Sequence, residues 1–126
     1  MLDTDTCIYA MKGSPGFVPE IPLSGCGISV IVRGELEYGV ARSQRVEQNR
    51  AALNAFLNSV RLYSLESDVA EHYGRIRAEL SERGTLIGNN DLWIAAHALA
   101  IGATLITHNT SEFVRVPDLL IDSWMN

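Results

Sequence analysis

Three acids and one amide sit where short apolar runs give way to polar ones. They are Asp3 in "MLDTDTCIYAMKG", Glu35 in "GELEYG", Asp91 in "GNNDLW" and Asn109 in "LITHNT". Each falls at, or soon after, the end of a run that reads as a strand or a turn, and in open parallel α/β folds ligands bind outside the carboxyl ends of the strands. Gathering carboxylates in one place costs repulsion and desolvation, and a divalent cation removes that cost. Oxygen donors without a matching His/Cys set select a hard ion. Mg²⁺ fits, with Mn²⁺ as its substitute, held directly by one or two carboxylates and keeping several waters. The chemistry such a centre supports is hydrolysis of a phosphodiester.

Elements to position these groups follow from periodicity and punctuation. "MLDT" starts a short strand, and Thr4 or Asp5 suits the N-cap of a helix that ends at Gly13. "SPGFVPEIPLSG", with three prolines, reads as an irregular connection. "CGISVIV" is apolar and β-branched, which predicts a buried strand. Two helices follow, over "RGELEYGVARS" and "QRVEQNRAALNAFLNSV"; in the second, Val46, Leu53, Phe56, Leu57 and Val60 recur near helical spacing. "RLYSL" reads as a strand. "SDVAEHYGRIRAELSERG" is a helix with an acidic first turn, stopped by Gly84. "DLWIAAHALAIG" is an apolar helix closed by Gly102, "ATLITHN" a buried strand, "TSEFVRV" a short turn or helix and "DLLIDSW" a last strand. Short apolar strands alternating with helices predict an α/β fold whose parallel sheet is covered on both faces.

The chain of 126 residues is the size of one domain, expected to span 1–126, and it is 47% hydrophobic and 20% charged, the balance of a globular protein. No apolar run approaches the roughly 18 residues of a membrane-spanning helix. No basic stretch followed by an apolar one marks a signal peptide. Cys7 and Cys26 form neither a disulfide framework nor a CxxC pair, which points to the reducing cytoplasm. The net charge of −5 weighs against gripping nucleic acid by overall charge, so any such contact must use a local patch or a bound metal.

Taken singly, each acid has a structural explanation. Asp3 suits a helix cap. Glu35 and Glu37 suit a solvated helix face. Asp91 suits the first turn of a helix, where the dipole favours an anion. What carries the argument is their joint placement at one edge of the sheet.

Together, "MLDTDTCIYAMKG", "GELEYGVARS", "YGRIRAELSERGTLIGNNDLWIAAHALAIGATLITHNTSEF" and "LLIDSW" resemble the PIN domain, and more closely the VapC-type ribonuclease toxins of type II toxin–antitoxin modules. The resemblance spans almost the whole chain in the family's order. It implies a three-layer α/β sandwich with a central parallel sheet and an acidic Mg²⁺ pocket. Asp3, Glu35 and Asp91 match the family's core metal-binding acids, Glu35 rather than Glu37 because Gly39 lies four residues beyond it in "ELxxG". Asn109 stands where many members carry a fourth aspartate, and joins the three as a catalytic candidate. Asp5, Thr107 and Glu112 border the pocket as support. The resemblance further implies cleavage of RNA, transfer RNA among the substrates, in the cytoplasm. It implies a homodimer held in a hetero-oligomer with a VapB-like antitoxin, DNA contact through the antitoxin alone, and no membrane. Asp5 departs from the commoner Asn or Ser, Arg33 and Gly34 from smaller or apolar residues, and "GNND" from a proline-bearing loop.

Other functions remain in view. A PIN-like RNA-binding or regulatory module without catalysis would lack a core acid, and none is missing. A DxD-type phosphatase, suggested by "DTD", and a receiver domain both need a lysine far downstream, yet Lys12 is the only lysine. Arg33, Arg42 and Arg45 are candidates to grip RNA phosphates, with a solvated helix face as the alternative. His108, beside Asn109, is a further candidate contact. His97, Trp93 and Trp124 read as packing residues.

Overall fold

The computed structural model describes residues 1–126. Helix α1 spans Thr4–Lys12, a 3-10 turn covers Leu23–Gly25, and strand β1 is Gly27–Ser29. Then come α2 (Val30–Ala41), α3 (Val46–Leu57), β2 (Arg61–Tyr63), α4 (Ser67–Glu82), α5 (Asn89–Ala100), β3 (Leu105–Ile106), α6 (Thr110–Phe113) and β4 (Ile121–Asp122). Strand and helix alternate as the sequence predicts.

The first three residues join the sheet together. Leu2 N donates to Gly27 O at 2.9 Å, Asp3 N to Ile106 O at 3.1 Å, and Ile106 N to Met1 O at 2.8 Å. The order across the sheet is therefore β2, β1, residues 1–3, β3, β4. Its parallel registers are Gly27 with Arg61, Leu105 with Ile121, and Leu2 with Ile106. Parallel strands buried on both faces need continuous apolar runs, and Leu2, Ile28 and Leu105 are each 0% exposed. Helices α1, α2 and α3 pack on one another, α4 packs along α5, and α2 also meets α5. One cluster of 24 buried apolar residues connects these layers.

Several boundaries differ from the sequence expectation. "CGISVIV" is a strand only over Gly27–Ser29, and Val30–Val32 open α2. The cause is Ser29, whose Oγ accepts from Ile31 N at 3.1 Å and so caps the helix. Burial of Val32 offsets its weak helix preference. The first helix is capped by Asp3, not by Thr4 or Asp5: Asp3 Oδ1 accepts from Thr6 N at 2.9 Å. Helix α5 begins at Asn89, so Asp91 lies in its first turn rather than at its first position. Gly13 and Gly84 end α1 and α4 with φ of 59° and 67°, as a left-handed terminus requires. Gly27 answers a different need: a Cβ there would lie 2.4 Å from the Tyr63 ring, so β1 and β2 meet this closely only over a glycine.

Candidate functional site

A cleft of about 140 Å³ opens at the edge of the sheet, lined by Asp3, Thr4, Asp5, Glu35, Asp91, Asn109 and Phe113. Its acids arrive from separate elements. Asp3 ends the central strand segment and is 6% exposed. Its Oδ1 is fixed by the cap bond to Thr6 N, and Thr6 Oγ1 donates to Ile106 O at 3.1 Å, which ties the start of α1 to β3. The cap thus sets the rotamer of a carboxylate that also faces the cleft.

Glu35 comes from the second turn of α2 and accepts a short hydrogen bond from Thr4 Oγ1. The residue between the two aspartates of "DTD" therefore orients the glutamate. That role escaped the reading of the sequence, because threonine between two acids carries no distinctive signal. Glu37, two residues on, faces elsewhere and pairs with Arg50 and with Arg33. The hydrogen bond from Arg50 holds its carboxyl below the usual range.

Asp91 occupies the first turn of α5, where the helix dipole favours the anion. The surroundings outweigh it. Partial burial, then the charges of Glu112, Glu35, Asp3 and Asp5, push its pKa up to about 6. Asp5, exposed on the rim, is also raised, by desolvation first and then by Asp3 and Glu35, while His108 pulls it back. No arginine, lysine or histidine pairs with Asp3, Asp5, Glu35 or Asp91; the three ion pairs of the chain lie elsewhere.

The far wall is built after β3. Thr107, 0% exposed, accepts from Asn109 N at 3.0 Å, and Asn109 Nδ2 donates to Glu112. Glu112 in turn accepts from Gly88 N at 3.2 Å. Glu112 thereby joins the β3–α6 turn to the loop that leads into α5 and Asp91, Thr107 braces that turn from within, and both stand behind the cleft rather than in its lining.

Among the four candidate RNA contacts, Arg42 alone lines a groove beside the cleft, a space of about 600 Å³ that shares Thr4 and Glu35 with it. Arg33 is engaged by Glu37. Arg45 stands exposed at the N-cap of α3. His108 is exposed and meets the Tyr9 ring edge-on at 6.4 Å. His97 and Trp124 are buried, as expected of packing residues, and Trp93 is half-buried against Tyr73.

The cleft fits a hydrated hard cation. Its donors are oxygens only, its charge has no internal counter-ion, and one of its acids holds its proton far above the ordinary range. No three of the chain's His, Cys, Asp or Glu side chains converge into a ready-made cage. Mg²⁺ does not need one, since it commonly takes one or two carboxylates and fills its remaining positions with water.

The PIN domain model matches residues 1–119. The chain is 41% identical to ribonuclease VapC2 of Rickettsia felis, over 98% of this chain and 96% of that protein. It is 38% identical to the tRNA(fMet)-specific endonuclease VapC of Salmonella typhimurium, again over 98% and 96%. Among solved structures it is similar to DNA-bound VapBC from Salmonella typhimurium, with a TM-score of 0.92 at 38% identity over 98% of this chain and 96% of that one. It is also similar to VapBC2 of Rickettsia felis bound to a promoter DNA fragment, with a TM-score of 0.88 at 39% identity over 98% and 97%. With the acidic cleft and the parallel sheet, these matches establish that the chain belongs to the PIN-domain family, in its VapC branch.

Proposed function

We propose that this chain is an endoribonuclease toxin that hydrolyses RNA phosphodiesters with Mg²⁺, or with Mn²⁺ in its place, and is neutralised by a VapB-like antitoxin. The observation that carries the reading is that Asp3, Asp5, Glu35 and Asp91 line one cleft without an internal cation. When bound, the ion supplies polarisation of a phosphoryl oxygen and a more acidic water. Asp3 and Asp91 would hold it, directly or through water, with support from Glu35. Asp3 is locked by its helix cap and Glu35 by Thr4, so both carboxylates are oriented before the ion arrives. Asn109 presents an amide to the same space, tethered by Glu112. The cleft repels a bare polyanion, and the cation eases entry of the substrate by balancing the acids.

The relatives named for RNA cleavage support RNA as the substrate, and transfer RNA is the first species to test. No helix is long and apolar enough to cross a membrane, and we place the activity in the cytoplasm with its substrate. A second groove, of about 260 Å³, is lined by Ile8, Met11, Leu36, Ala52 and Leu53 with Glu35 at its edge. It suits the apolar anchors of an antitoxin segment whose arginine reaches Glu35 and its neighbours. The assembly would be a toxin homodimer joined to antitoxin chains, which alone contact DNA.

The test is incubation of the purified chain with total RNA in Mg²⁺ or in EDTA, with mapping of the cut ends. Discrete cuts in Mg²⁺ that vanish in EDTA are expected. Undiminished cutting in EDTA, or none in either, overturns the proposal.

A further inference from the structure

Helix α2 carries a second feature that the acids do not explain. Tyr38 is 66% exposed, yet it stands one turn beyond Glu35 and lines the groove of about 600 Å³ that shares Glu35 and Thr4 with the acidic cleft. Residues three and seven apart lie on one face of a helix, so Glu35, Tyr38 and Arg42 form a stripe running away from the acids. The Arg42 guanidinium sits over the Tyr38 ring, 5.5 Å from its centroid. One face of the phenol is thereby occupied and the ring is steadied, while most of the side chain remains open. The Tyr38 side chain makes no hydrogen bond and is not part of the core cluster, so its ring contributes little to folding. The glycines beside it, Gly34 and Gly39, have no atom within 4 Å of where a Cβ would be, which leaves the floor of the groove at backbone level.

We infer that Tyr38 and Arg42 form the substrate platform of this enzyme: a nucleobase next to the scissile phosphate stacks on Tyr38, and the following phosphate meets Arg42. This rests on the proposed RNA cleavage. Single-stranded RNA suits the stripe because every base offers a π face to an aromatic ring, and an arginine beside the ring takes the backbone charge. Seven residues of helix separate Glu35 from Arg42, about 10 Å along the axis, room for one nucleotide between the acids and the cation. Arg42 is the one cation lining this groove, and in a chain of net charge −5 it supplies the local positive charge for a backbone phosphate.

The experiment compares Tyr38→Ala, Tyr38→Phe and Arg42→Ala. Binding of a single-stranded RNA carrying 2-aminopurine is measured in Mg²⁺ on an Asp91→Asn background, and cleavage kinetics on the unmodified background. Tyr38→Ala should weaken binding about tenfold and lose the 2-aminopurine quench, with KM rising more than kcat falls. Tyr38→Phe should stay within about twofold. Arg42→Ala should weaken binding and flatten its salt dependence, which Tyr38→Ala leaves unchanged. The side chains are exposed, so an unchanged melting temperature certifies that each variant is folded. RNA binding by Tyr38→Ala within twofold of the parent overturns the platform. So does intact RNA binding combined with loss of co-purification with the protein encoded beside this gene, which would assign the stripe to the antitoxin. Absence of cleavage by the unmodified chain, with base stacking on Tyr38 still seen, would instead sink the nuclease reading and spare the platform.

Discussion

The His97 imidazole and the Ser29 hydroxyl meet inside the core, with Nδ1 2.8 Å from Oγ and neither residue more than 1% exposed. Ser29 Oγ accepts from Ile31 N and still has its proton and a second lone pair, so it pairs with His97 Nδ1 in either tautomer of a neutral ring. Burial agrees, holding the His97 pKa below its ordinary value, against the pull of Asp68, Glu66 and a backbone hydrogen bond at Ser64. The bond ties α5, which carries Asp91, to the cap of α2, which carries Glu35. His97→Leu keeps the apolar volume but strands the serine hydroxyl, and should cost about 2 kcal/mol in urea unfolding. His97→Asn, which retains an acceptor, should cost less. A His97→Leu protein as stable as the parent would show that the bond contributes nothing.

Asp91 should make the metal-free protein less stable as pH rises. Its folded pKa of about 6 lies above the 3.8 of an unperturbed aspartate. Between those values the folded chain keeps a proton that the unfolded chain has released, so stability falls through that window and the penalty is complete above it. Asp91 is half-exposed, so solvent screening reduces the effect to about 1 kcal/mol. In EDTA at pH 7.5, Asp91→Asn should therefore be more stable than the parent, and at pH 4 the two should converge. Affinity for Mn²⁺, read by titration, should weaken as pH drops through 6. Equal stability of the two proteins at pH 7.5 would refute the clustering of charge.

Much of this was legible in the sequence, because helix stops and buried runs are local signals. Gly13, Gly84 and Gly102 end their helices at positive φ as their positions foretold. The order of elements followed from apolar runs that parallel strands must bury. What stayed hidden depended on partners far along the chain. "CGISVIV" changes from strand to helix at Ser29, whose hydroxyl takes its second partner from His97, 68 residues away. Thr4 gains its role only when α2 brings Glu35 beside it. Arg33 on α2 and Arg42 at its C-cap separate only once Glu37 claims one and the Tyr38 ring the other. Asp3, Glu35 and Asp91, with Asn109, were legible together because three acids and an amide had to meet at one sheet edge, a relation that topology implies.

Two glycines make opposite predictions. Gly74 lies mid-way along α4, is exposed, and has nothing within 4 Å of an added Cβ. Gly74→Ala should raise stability by about 1 kcal/mol through helix propensity alone. Gly27 lies under the Tyr63 ring, 2.4 Å from where its Cβ would be. Gly27→Ala must part β1 from β2 or displace the ring, and should lower the melting temperature by several degrees. Thermal unfolding of both variants decides it. A stabilised Gly27→Ala would mean that Tyr63 moves aside freely.

Asp3 serves two ends, and two substitutions separate them. Its Oδ1 caps α1 through Thr6 N at 2.9 Å, while the same carboxylate faces the acidic cleft. Asparagine ranks beside aspartate as an N-cap and keeps an oxygen for that bond, whereas alanine does not. Asp3→Asn should therefore unfold within about 0.5 kcal/mol of the parent, and Asp3→Ala about 1 kcal/mol earlier. Under the proposed function, both should abolish RNA cleavage, because neither leaves a negative oxygen to hold the ion. Asp5 caps nothing and lies exposed on the rim, so Asp5→Asn should spare both fold and most of the activity. Urea unfolding and cleavage rates measured on the three variants give the answer. If Asp3→Asn were as unstable as Asp3→Ala, the cap would not be what fixes Asp3. If Asp3→Asn still cut RNA in Mg²⁺, or Asp5→Asn lost activity as fully as Asp3→Asn does, the division of labour within "DTD" would be wrong.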